Sequence, residues 1–133
     1  QRPMLATDWS GPSENALESM VALKGLAEEV LISHVIDDKV AKGRDGEGLA
    51  KLEEKSQQRL KGYCRRLEDK GLATEHHLAY GQPAPEILRL SRDHNATMIV
   101  MGRTGKDWFQ EYWLGGVSHR VAELSELPVM IVP

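Results

Sequence analysis

Two glycine pairs and the hydroxyls beside them are the part of this chain best suited to chemistry. Gly102-Arg103-Thr104-Gly105 is followed, nine residues later, by Gly115-Gly116-Val117-Ser118. A glycine lets backbone N–H groups approach an anion closely and adopt φ > 0. The helix expected from Val117 adds unpaired N–H donors and the positive end of its dipole. Thr104 and Ser118 offer hydroxyls to phosphate oxygens, and Arg103 offers a charge-assisted contact. Two other phosphate motifs are excluded. Gly105-Lys106 is followed by Asp107 and preceded at the fifth position by Val100, which breaks the P-loop pattern. Asp8-Trp9-Ser10-Gly11 lacks the G-x-G-x-x-G of dinucleotide sites. On glycine spacing alone, phosphate binding and plain turns stand as alternatives.

Other reactive side chains have plainer readings. Asp8, at the end of an apolar segment, suits either a ligand's ribose or the cap of the next helix. His76 and His77 are adjacent on an expected strand, so they point to opposite faces and cannot share one metal. His34, His94 and His119 are isolated in sequence, and no metal site is expected. Cys64 lies on the apolar side of a helix and reads as a core filler. The run 53–61 reads as a solvated helix face. No Ser–His–Asp or paired-carboxylate arrangement follows from the spacings, and nothing requires catalysis.

The elements that position these residues alternate. Arg2 to Thr7 is a short apolar strand that ends at Asp8-Trp9-Ser10-Gly11-Pro12, where Ser10 can cap and Pro12 suits the first helical turn. Ala16, Leu17, Met20, Val21 and Leu23 recur at helical spacing, with a stop at Gly25. Residues 29–36 (EVLISHVI) read as a buried strand. Asp37 to Gly48, with three glycines, reads as a mobile loop. A long charged helix follows from Leu49 to Gly71, then a strand from Ala73 to Tyr80. A helix opens at Pro83 or Pro85 and ends near His94. Thr97 to Met101 is a fourth strand, Val117 to Leu124 a helix, and Pro128 to Val132 a fifth strand. Strands separated by helices imply one parallel α/β sheet with helices on both faces. Ligands of such sheets sit outside the carboxyl ends of the strands, where strand order reverses.

The 133 residues fit one domain. A hydrophobic fraction of 41% with 28% charged is ordinary for a globular chain. Twenty acidic and 17 basic residues interleave to a formal charge of −3, which leaves no basic footprint for nucleic acid. The longest apolar run is too short to span a bilayer, and no signal-peptide pattern opens the chain. One cysteine, Cys64, forbids an internal disulfide and suits a reducing, cytoplasmic setting.

The ordered matches carry further than any single motif. Gly102-x-x-Gly105-x9-Gly115, with Ile99-Val100-Met101 before it and Val117-Ser118 after it, is similar to the nucleotide loop of the universal stress protein family. Met4-Leu5-Ala6-Thr7-Asp8, His34-Val35-Ile36-Asp37, Gly81-x-Pro83-x-x-x-Ile87 and Pro128-Val129-Met130-Ile131-Val132 match other parts of it, so the resemblance spans essentially the whole chain. It implies a Rossmann-like, adenine-nucleotide-hydrolase-like three-layer sandwich, with five parallel strands in the order 3-2-1-4-5. It also implies ATP or a related adenine nucleotide as ligand, with or without Mg²⁺, in a regulatory or stress-response role. By position, Ala6, Thr7 and Asp8 would border adenine and ribose, and Val35 would wall the base. Met101, Gly102, Thr104 and Gly105 would follow the ribose and first phosphates. Gly115, Gly116, Val117 and Ser118 would hold the outer phosphates. A homodimer through the last strand, or a tandem partner domain in a longer parent, follows from the same resemblance. The alternatives are an interaction module of the same fold and, with least support, a slow ATPase.

The chain departs from the family pattern twice. Gly116 stands where Ser or Thr is usual, which removes a hydroxyl, and Trp9 stands where Gly is more frequent. Trp108, Phe109, Tyr112 and Trp113 are four of seven aromatic side chains, and are expected to fold the loop back onto the domain.

Overall fold

The computed structural model describes residues 1–104, 113 and 116–133. Five strands, β1 (Pro3–Ala6), β2 (Val30–Asp37), β3 (Thr74–Gly81), β4 (Met98–Gly102) and β5 (Val129–Val132), form one sheet in the order β3-β2-β1-β4-β5. Every pairing is parallel, and Ala6 sits between Ser33 of β2 and Met101 of β4. The expected order is therefore the observed one. Strand order, not direction, reverses between β1 and β4, and their carboxyl ends open a crevice there.

The crossovers are α1 (Gly11–Ser19) with a 3-10 turn (Met20–Leu23), α2 (Asp38–Lys42), α3 (Gly46–Glu68), α4 (Pro83–Asp93) and α5 (Val117–Leu124). Alternation along the strands divides the core in two. Met4, Ala6, Leu31 and Val35 point toward α4 and α5, where Ile87, Leu90 and Val121 cover them. Leu5, Val30, Ile32 and Val100 point the other way, against Leu17 of α1 and Leu60 and Leu67 of α3. Cys64 is buried in this second layer, as a core filler should be, and burial pushes its thiol up from its ordinary value.

Two expectations are corrected. Asp37 to Gly48 is not a loop throughout: it holds α2 and the first turn of α3. Asp37 accepts a hydrogen bond from Lys39 N and Asp45 accepts one from Gly48 N, so both helices are capped despite the glycines. Ser10 stands at the N-cap of α1, yet its side chain makes no cap bond and turns toward Asp8 instead. Among the described residues, no helix is long and apolar enough to cross a membrane.

Candidate functional site

β1 delivers Thr7 and Asp8 to the crevice, and the chain then turns into α1. Asp8 is 2% exposed. Its Oδ1 accepts from Ser10 N at 3.1 Å, Ser10 Oγ at 2.5 Å and Ser13 Oγ at 2.8 Å. Its Oδ2 accepts from the backbone N–H of Trp113 at 3.1 Å. A carboxylate taken out of water needs this many donors, and here the chain supplies all four. Asp8 thus holds the turn that leads into α1, while Ser10 occupies the N-cap position itself. Trp9, next in line, has φ of 69°, the left-handed region that side chains disfavour by roughly 1–2 kcal/mol. That backbone explains why glycine suits the position. Packing offsets the strain, since the Trp9 ring lies against His34 at 4.7 Å and edge-on to Tyr63 at 5.1 Å.

β2 delivers His34 and Val35. The buried His34 donates from Nδ1 to the Thr7 carbonyl at 2.6 Å, which joins the ends of β1 and β2. The Val35 side chain is part of the core, and it is the Val35 carbonyl that reaches the crevice. That carbonyl accepts from the indole Nε1 of Trp113 at 3.0 Å. The Trp113 ring is 2% exposed and lies 5.8 Å from the His34 ring, nearly parallel at 9°. The expected folding-back of the aromatic loop therefore holds for Trp113. Trp108, Phe109 and Tyr112 lie outside the described residues.

β4 and α5 bring the two hydroxyls together. Ser118 N donates to Thr104 Oγ1 at 2.8 Å, and Thr104 N donates to Ser118 Oγ at 3.2 Å. The pair closes at the amino end of α5, whose N-cap Gly116 has φ of 75°. A left-handed cap favours glycine, which supplies a backbone reason for the missing hydroxyl at this position. Ala6, Met101 and Gly102 are buried in the strand ends. Arg103 is exposed, with its backbone N–H given to the Val132 carbonyl. Gly105 and Gly115 lie outside the described residues. Sequence reasoning thus named the elements of the crevice but missed that Ser10, Ser13 and Trp113 share Asp8.

A second cluster escaped sequence reasoning. His76 and His77 do face opposite sides of β3, but His77 meets His94 from the end of α4, with ring centroids 3.6 Å apart and planes at 17°. Glu75, His77 and His94 place ligand atoms within 4.8 Å of one another. Arg2 approaches the same Glu75 oxygen at 3.5 Å that faces His77 Nε2 at 3.3 Å. Burial lowers the His77 pKa below its ordinary 6.5, with His94 and His76 adding to the effect and Glu75 opposing it. A depressed histidine takes up its proton less readily folded than unfolded. Its stability contribution is therefore intact above pH 6.5 and is lost as pH falls through that value toward the folded pKa. The melting temperature should drop between about pH 7 and pH 5, and His77→Gln should flatten the drop. Equal slopes for the two proteins in a pH series of thermal melts would count against it.

The universal stress protein family matches residues 1–133. Universal stress protein MJ0577 of Methanocaldococcus jannaschii is 32% identical, over 95% of this chain and 90% of its own. The solved structure of MJ0577 superposes with a TM-score of 0.86 at 34% identity, covering 98% of this chain and 94% of that one. A universal stress protein in complex with cAMP shares the fold at a TM-score of 0.75 and 22% identity, covering 100% of this chain and 97% of that one. One from Archaeoglobus fulgidus in complex with dAMP does so at 0.71 and 18%, covering 100% and 98%. With its five parallel strands, its switch-point crevice and these likenesses, the chain belongs to the universal stress protein family.

Proposed function

We propose that this single domain binds an adenine nucleotide in the crevice between β1 and β4 and serves as a regulatory module of a stress response. The observation that carries the reading is the Val35 carbonyl. It projects into the crevice and takes a ring N–H there, which is the bond an adenine amine would offer. Thr7 and Asp8 would lie beside the ribose. The reciprocal Thr104–Ser118 pair at the amino end of α5 would turn its hydroxyls and N–H groups to phosphate, with Gly116, Val117 and the flanking Gly102, Arg103, Gly105 and Gly115 alongside. The two relatives in complex with cAMP and dAMP support the ligand class. ATP, with or without Mg²⁺, is the fuller form of the proposal. A homodimer through β5 fits the partly exposed Met130 and Ile131 on that edge strand, at 36% and 37%. The proposed setting is the cytoplasm, and no catalytic step is assigned.

Calorimetric titration with AMP and with ATP, each with and without Mg²⁺, tests this. Saturable heat with one site per chain is the expected result. Ser118→Ala should weaken ATP by about threefold to tenfold, the value of one hydrogen bond, while changing AMP less if Ser118 serves the outer phosphates. No heat with any of these ligands, and no nucleotide co-purifying, would overturn the proposal. One observation favours the second reading, a same-fold interaction module: the indole of Trp113 already fills the crevice.

A further inference from the structure

We infer that Trp113 is an internal occupant of the base subsite, so that nucleotide affinity is set by a competition between this indole and the incoming base. The inference rests on the reading of the crevice given under Proposed function and adds how that site is regulated.

Four features make Trp113 a stand-in for a base rather than one more core residue. Its ring is a fused six-five bicycle, close to a purine in size. Its edge donor, Nε1–H, is spent on the Val35 carbonyl at 3.0 Å, the acceptor assigned above to the adenine amine. Its plane lies nearly parallel to the His34 imidazole, as a stacked base would lie. Its backbone N–H takes Asp8 Oδ2, so Trp113 also occupies the acid that would face a ribose. Trp113 packs with the core on the α4 and α5 side, but it comes from the stretch between β4 and α5 rather than from a strand or a helix.

Competition follows from chemistry and volume. A purine amine would approach the same Val35 oxygen through the space the indole ring fills. Adenine must therefore displace the ring before it binds. Its observed dissociation constant is the intrinsic constant divided by the fraction of molecules with the ring withdrawn. Mutations that remove the occupant raise that fraction and tighten binding without adding a contact to the ligand.

The test titrates AMP into the full chain, Trp113→Phe and Trp113→Ala, by calorimetry. In parallel, the indole N–H signals are followed by ¹H–¹⁵N NMR, with the Trp113 signal identified by its absence from Trp113→Phe. Phe keeps an apolar ring in the crevice but has no donor for Val35, and so preserves the fold if Ala does not. Binding about threefold tighter in Trp113→Phe, and tenfold or more in Trp113→Ala where it folds, is the expected result. Without ligand the Trp113 indole proton should exchange slowly with solvent. At saturating AMP its signal should move and its exchange accelerate. If AMP binds the native chain with the Trp113 signal unmoved, and Trp113→Phe binds equally or more weakly, Trp113 is a wall of the site and the inference is overturned while the nucleotide reading survives. If AMP binds none of the three proteins, the nucleotide reading itself fails and takes the competitor role with it.

Discussion

Gly102→Ala is expected to destabilise the domain by about 3 kcal/mol or more, enough to leave much of it unfolded or insoluble at expression temperature. A Cβ at Gly102 would lie 2.4 Å from Pro12 C and from Ser13 N, and 2.7 Å from Pro12 O. These are backbone atoms of the first turn of α1, so no side-chain rotation relieves the overlap. Space sets the requirement, and it is met by β4 and α1 touching backbone to backbone. The sequence-based role for Gly102 was close approach to a ligand, and the structure adds a nearer neighbour. The consequence reaches the crevice as well. A shift of Pro12 and Ser13 moves the hydroxyl that Ser13 gives to Asp8 at 2.8 Å. Urea denaturation of native and variant chains measures the effect. A midpoint within experimental scatter of the native one would show that α1 does not press on this strand end.

Asp8→Ala should have the second-largest effect, about 2–4 kcal/mol. Ser10 N, Ser10 Oγ, Ser13 Oγ and Trp113 N all lose their acceptor at a site almost sealed from water. Buried donors without partners cost about 1–3 kcal/mol each, and relaxation or entering water recovers part of the total. Asp8→Asn keeps the shape but turns an NH₂ toward donors, so it should recover only a fraction of the loss. Thermal melts of the three proteins test the stability effect. A change of under about 0.5 kcal/mol for Asp8→Ala would mean that the four donors find other partners. AMP titration of Asp8→Asn, where the fold survives, separates its role at the helix start from a role toward ligand. Native affinity in that variant would confine Asp8 to organising α1.

Most of the architecture was legible because it rests on local signals. The β-branched run in residues 29–36 and the apolar spacing from Ala16 to Leu23 determine strand and helix within one or two turns of chain. Once strands alternate with helices, handedness and burial leave few arrangements, and the order β3-β2-β1-β4-β5 is among them. The start of α3 was hidden because Gly46 and Gly48 lower helix propensity, while the Asp45 cap that overrides them is a single residue.

The crevice was legible only as a set of residue types. Glycine spacing and the ordered family matches pointed to its loops, but partners within it span long stretches of chain. Trp113 meets Asp8 across 105 residues and Val35 across 78. His77 and His94 meet because a strand and a helix end pack together, although in sequence His94 stands isolated and His77 is neighboured only by His76. Periodicity and propensity act over a few residues, so they assign elements and the faces those elements present. Which buried acceptor a given donor reaches depends on how the faces close. For Trp113, that closure turned one aromatic of the stretch between β4 and α5 into the occupant of the crevice, because Val35 and Asp8 offered acceptors at the place where the strands part.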